Sequence, residues 1–89
     1  MKHMNIRVSG KVQGVFFRAS SKERADQLGL VGFVQNEPNG DVYIEAEGEE
    51  DKLNQFLDWC ARGPGRAQVE NVYAGESALK NFVRFELRR

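Results

Sequence analysis

The stretch Ser9-Gly10-Lys11-Val12-Gln13-Gly14-Val15-Phe16-Phe17-Arg18 leaves a strand pattern and enters a helix pattern. Before it, Met4, Ile6 and Val8 alternate with Asn5, Arg7 and Ser9, the period-two signature of a half-buried strand. After it, Phe17, Ser21, Arg24, Ala25 and Leu28 fall along one helical stripe, with Gly29 placed to end the helix. Two helix starts are compatible with this sequence. Ser20-Ser21-Lys22-Glu23 has the form of a capping box, which begins the helix at Ser20. A start nearer Phe17 aims the helix N-terminus at the glycine loop.

The remaining elements follow outward from this strand–loop–helix. Val31 to Gln35 is short, apolar and rich in strand formers, and ends near Asn36. Pro38-Asn39-Gly40-Asp41 is a hairpin signal, because Asn-Gly adopts the positive φ angles of a tight turn. Val42, Ile44 and Ala46 then alternate with Tyr43, Glu45 and Glu47 as a third strand. Glu49, Glu50 and Asp51 favour a helix N-terminus, and Leu53, Phe56, Leu57 and Cys60 form one apolar helical face, closed by Gly63 and Pro64. Val69 to Ala74 reads as a fourth strand, and Phe82 to Leu87 as a last one with Val83, Phe85 and Leu87 on one side. The order strand, helix, strand, strand, helix, strand predicts a ferredoxin-like α/β sandwich of the α+β class: βαββαβ, two helices on one face of an antiparallel or mixed sheet, with the last segment either an additional C-terminal edge strand or a strand reached by a loop through Gly75. The whole chain, 1–89, forms one domain. Met1-Lys2-His3 reads as a disordered terminus or a remnant of cloning.

This topology brings distant residues together. The first helix crosses over between strands one and two, so those strands run parallel and end at the same edge of the sheet. Arg18, just beyond the first strand, and Asn36, at the end of the second, then face a common ligand. The loop between them is suited to an anion. Gly10 and Gly14 let backbone N–H groups turn inward as a nest. A helix N-terminus adds unpaired donors, and the Arg18 guanidinium adds a fork that grips phosphate. The stretch is a candidate phosphate cradle.

Composition narrows the chemistry. Thirteen basic and thirteen acidic residues cancel, which argues against nucleic acid or an anionic membrane as partner. The charge is uneven: five bases against one acid from Arg7 to Arg24, and seven acids with no base from Glu37 to Asp51. Cys60 is the only cysteine and His3 the only histidine, so an internal disulfide, a cysteine or histidine metal cluster and a Ser-His-Asp triad are excluded. Cysteine usage fits a reducing, cytoplasmic setting, and no apolar run approaches the roughly 20 residues of a membrane span. Neither a metal nor another cofactor is expected, and a monomer is the default state.

The motifs that carry a resemblance are Gly10-Lys11-Val12-Gln13-Gly14-Val15-Phe16-Phe17-Arg18 and Gly32-Phe33-Val34-Gln35-Asn36-Glu37-Pro38-Asn39-Gly40-Asp41-Val42. They stand as the two signatures Gly-x-Val-Gln-Gly-Val-x-Phe-Arg and Gly-x-Val-x-Asn-x-x-x-Gly-x-Val, and on them the chain resembles the acylphosphatase family over nearly its whole length. The resemblance implies metal-free hydrolysis of the carboxyl–phosphate bond of small acyl phosphates. By matching position it makes Arg18 the phosphate-binding catalytic arginine and Asn36 the residue that orients the attacking water. Backbone N–H groups of Gln13, Gly14, Val15, Phe16, Phe17 and Arg18 complete a site expected to hold phosphate or sulfate. Phe16, bulky at a position often small, and Glu37, a carboxylate beside Asn36, bear on affinity and substrate choice.

Other readings of the same fold are weaker. RNA-recognition domains share the sandwich, and Gly32-Phe33-Val34-Gln35 overlaps part of their glycine–aromatic–valine motif. Leu30 and Asn36, however, stand where a basic residue and an aromatic are wanted, and Glu45 and Glu47 repel phosphates. A silent domain that only binds an anion or a protein is opposed by the intact Arg18 and Asn36. Cys60 and Trp59 read as packing residues rather than site residues.

Overall fold

The computed structural model describes all residues, Met1–Arg89. Five strands and two helices alternate as β1 (Lys2–Lys11), α1 (Phe17–Gln27), β2 (Val31–Asn36), β3 (Val42–Gly48), α2 (Glu50–Arg62), β4 (Gln68–Ser77) and β5 (Phe85–Leu87). The sheet order is β4-β1-β3-β2-β5. β1 and β2 each pair antiparallel with β3, which lies between them, so β1 and β2 run parallel as the crossover requires. β4 adds antiparallel to β1, and β5 adds parallel to β2 as the edge strand. This is the ferredoxin-like α/β sandwich expected from the element order.

The two faces of the sheet differ in chemistry. Ile6, Val8, Val34, Val42, Ile44 and Phe85 point to the helical face, where they meet Phe17, Ala25, Leu53, Phe56 and Cys60 in one apolar core. Trp59 joins that core, stacked on Phe56 and tilted against Phe17. Burial pushes the Cys60 thiol well above its ordinary range, which keeps it a small core residue rather than a nucleophile.

The opposite face carries His3, Asn5, Arg7, Phe33, Tyr43, Glu45 and Glu47. Glu45 is 6% and Glu47 1% exposed, although they alternate along β3 with residues of the apolar core. The segment 78–84 covers them. The Glu47 carboxylate accepts the backbone N–H groups of Lys80 and Phe82, and Glu45 Oε1 accepts Lys80 Nζ at 2.8 Å. His3 completes the cluster, with Nδ1 2.7 Å from Glu47 Oε2 and Nε2 3.1 Å from Glu45 Oε1. Its ring stacks on Phe82.

That cluster explains two departures from the sequence expectation. β1 begins at Lys2, ahead of the Met4 alternation, and His3 is buried rather than part of a loose terminus. The last strand starts at Phe85 instead of Phe82, because a left-handed residue at Asn81 turns Phe82 into the polar face. Val83, expected on the buried side, is 86% exposed.

Candidate active site

β1, β2 and β5 all end at one edge of the sheet, and the loop from β1 to α1 lies across that edge. The helix starts at Phe17, not at Ser20, so its N-terminus faces the edge. The capping box does not form. Ser21 is fully buried, and its hydroxyl donates to the carbonyls of Phe17 and Arg18 inside the helix, at 2.7 and 3.0 Å. The residue that opens the helix is Phe16, in the left-handed region at φ 64°, and its carbonyl accepts Ser20 N–H. Gly14 at φ 74° supplies a second left-handed turn two residues earlier.

Val12, Gly14, Phe16, Phe17, Arg18, Ala19, Asn36 and Leu87 line a cleft of about 280 Å³ at this edge. Arg18 and Asn36, separate in sequence, are thus two walls of one cavity. Backbone N–H groups from Val12 to Phe16 donate to no protein acceptor. The first turn of α1 continues the loop, so its dipole adds positive potential on the same side.

Each polar wall is held from behind. Arg18 Nη1 donates to the carbonyl of Arg88 at 2.8 Å, and Arg88 N–H donates to Val34 at 2.8 Å, so β5 ties the guanidinium to β2. The Arg88 guanidinium itself lies 3.8 Å over the Phe33 ring, on the opposite face. Gln13 Nε2 donates to the carbonyls of Glu37 at 2.8 Å and Asp41 at 2.9 Å, which ties the glycine loop to the β2–β3 turn. The sequence singled out Gln13 for its backbone alone. Its side-chain contacts depend on a turn 24 and 28 residues away, and no local pattern marks them.

The charge near the cleft is simpler than the run from Arg7 to Arg24 suggests. Arg7 projects to the other face, 3.3 Å from Glu37 and 3.7 Å from Asp41. Lys22 pairs with Asp26 along the helix. Arg18 is the only cation in the cleft lining. Glu37 follows Asn36 in sequence, but its carboxylate turns from the cleft toward Arg7 and the amide of Gln35. Glu37 thus shares the side of Gln35, two residues earlier, and its carboxylate lies away from the cleft lined by Asn36. No group of three or more His, Cys, Asp or Glu is arranged to hold a metal ion.

The fold is a ferredoxin-like α/β sandwich that presents an arginine, an amide and a row of free backbone donors at one sheet edge. Known proteins narrow the class. The acylphosphatase family model matches residues 4–87. An acylphosphatase from Marinobacter nauticus is 49% identical over 82 residues, spanning 91% of this chain and 89% of that protein. The crystal structure of acylphosphatase from Bacillus subtilis superposes with a TM-score of 0.97 at 36% identity, covering both chains entirely. An acylphosphatase structure from Coxiella burnetii gives 0.95 at 40% identity, over 98% of this chain and 92% of that one. The chain belongs to the acylphosphatase family.

Proposed function

We propose that this protein hydrolyses small acyl phosphates to carboxylate and inorganic phosphate without a metal ion, acting as a monomer in the cytoplasm. The observation that carries the reading is the convergence of Arg18, Asn36 and the undonated N–H groups of the β1–α1 loop on one cleft. All of these groups come from a single chain, so one copy suffices.

The chemistry needs little else. The phosphoryl group transfers through a loose transition state whose charge spreads over three equatorial oxygens. Arg18 and the N–H groups from Gln13 to Arg18 hold those oxygens, and the helix dipole favours the same charge. Asn36 orients a water molecule in line with the scissile bond. The water oxygen bonds to phosphorus as the phosphorus–oxygen bond to the acyl group breaks. The bonding pair leaves on the carboxylate, and the water's proton passes to solvent or phosphate. A carboxylate is a good leaving group, so no general acid is required and the absence of a cleft histidine is no obstacle.

The test is turnover of benzoyl phosphate in the presence of chelator, with a simple phosphate monoester as control. Intact protein is expected to hydrolyse the acyl phosphate alone. Arg18→Gln is expected to lose ~10²-fold or more, by analogy with removal of an oxyanion donor, and Asn36→Ala a comparable factor. Folded intact protein without turnover sinks the reading.

A further inference from the structure

The Gln13 side chain stands between the two halves of the cleft. It directly precedes Gly14 in the cradle. Its amide reaches Glu37, the residue directly after Asn36, and Asp41 at the far end of the same turn. Both N–H bonds of one amide nitrogen are used, one on each carbonyl. The partners also fix the amide's orientation, since the reverse rotamer would set its oxygen against two carbonyl oxygens.

The turn does not need Gln13 in order to form. Glu37 N–H donates to the Asp41 carbonyl at 2.8 Å, and Gly40 N–H donates to the Glu37 carbonyl at 3.1 Å. Asn39 adds a bond from its own side-chain oxygen to the Asp41 N–H at 3.0 Å. Gln13 therefore contributes a second hydrogen bond to carbonyls that already have one. Its removal leaves neither of them unpaired. What it removes is the pair of side-chain hydrogen bonds that joins the cradle loop to the turn directly after Asn36.

We infer that Gln13 is a positioning residue: its side chain sets the distance between the phosphate cradle and the Asn36 amide, and so the line of attack of the water. This rests on the hydrolytic reading above. The cradle's own donors remain on the loop when the link is cut, so phosphate binding persists. The water-orienting amide shifts relative to the bound phosphoryl group, so turnover falls. Misplacement of a reacting group by about 1 Å costs on the order of 10²-fold, and a loosened link a part of that.

Gln13→Leu keeps the volume and removes both donors. With benzoyl phosphate, kcat is expected to fall about tenfold or more, while the inhibition constant of inorganic phosphate stays within about threefold. In an Asn36→Ala background the same substitution is expected to change kcat by less than about threefold, because the group it positions is gone. Unchanged kcat in Gln13→Leu overturns the inference. So does a loss that multiplies in full with Asn36→Ala, or a phosphate constant that worsens in step with kcat. Where Gln13→Leu fails to fold, Gln13→Asn replaces it: its amide is one methylene too short to reach both carbonyls. If both unfold, Gln13 is a folding residue and the inference is wrong. Inactivity of the intact enzyme sinks the hydrolytic reading instead, and an active intact enzyme with an unaffected Gln13→Leu sinks the positioning role alone.

Discussion

Phe16 shows what a single residue contributes and what it costs. A bulky L-residue with positive φ crowds its own Cβ against the backbone, at about 1–2 kcal/mol. Its ring is 74% exposed and returns little packing. The conformation nevertheless turns the chain from the β1–α1 loop into α1. Phe16→Asn, a residue that tolerates this region, is expected to raise stability by about 0.5–1 kcal/mol in urea denaturation. Loss of stability in that variant would show that the exposed ring packs more tightly than its surface suggests. Residue identity was legible for Arg18 and Asn36, because motif spacing and parallel strands place them together. The Gln13 amide and the buried Glu45 and Glu47 were not, because their partners are distant backbone groups and a covering segment.

At the scale of elements, period-two alternation and the Asn39-Gly40 turn located β2, β3 and the middle of β1, since register on a half-buried sheet admits no one-residue slip. The errors lie where tertiary contacts override local preference. α1 begins at Phe17 because the left-handed Phe16 turns the chain into the helix ahead of Ser20, whose N–H is already bonded to the Phe16 carbonyl, and β5 is short because the Glu47 carboxylate captures the Phe82 N–H. Gly32 illustrates a tighter constraint. It sits in β2 at φ 144°, between β3 and β5, and a Cβ there would overlap the Glu45 carbonyl oxygen. Gly32→Ala is expected to destabilise the protein by about 3 kcal/mol or more, read as a drop in the urea midpoint. A near-neutral result would mean that β2 and β3 can separate at this point.

For the molecule as a whole, the polar face ties stability to pH. Burial pushes the Glu47 carboxyl upward, but the Lys80 N–H, the His3 ring and the Phe82 N–H outweigh it and hold the group below its usual range. Glu45 is shifted the same way: burial is overcome by the Lys80 ammonium and the Tyr43 hydroxyl. A carboxyl lowered on folding binds fewer protons in the native state than in the unfolded one. Its contribution is complete above the ordinary carboxylate range and drains away as pH falls through the lowered native value. Urea midpoints are therefore expected to hold steady from pH 7 to about 5 and to fall steeply below about 4. Glu47→Gln should flatten that fall, and an unchanged slope would place the acid sensitivity elsewhere.

The covering of this face by residues 78–84 also sets an order of events in time. His3 and Phe82 come from opposite ends of the chain, and their stack closes a loop that encloses almost every other element. The pairing of His3 with Ser77 across β1 and β4 carries most of the entropy of that closure and leaves only a short segment to order. β1 must therefore be paired with β3 before residues 80–82 find the carboxylates of Glu45 and Glu47 waiting for them. Until then both glutamates remain hydrated and charged. The polar face is expected to seal last and open first, seen as faster amide hydrogen exchange at Lys80 and Phe82 than in the paired strands β1 and β3, and equal protection would show that the two faces form together.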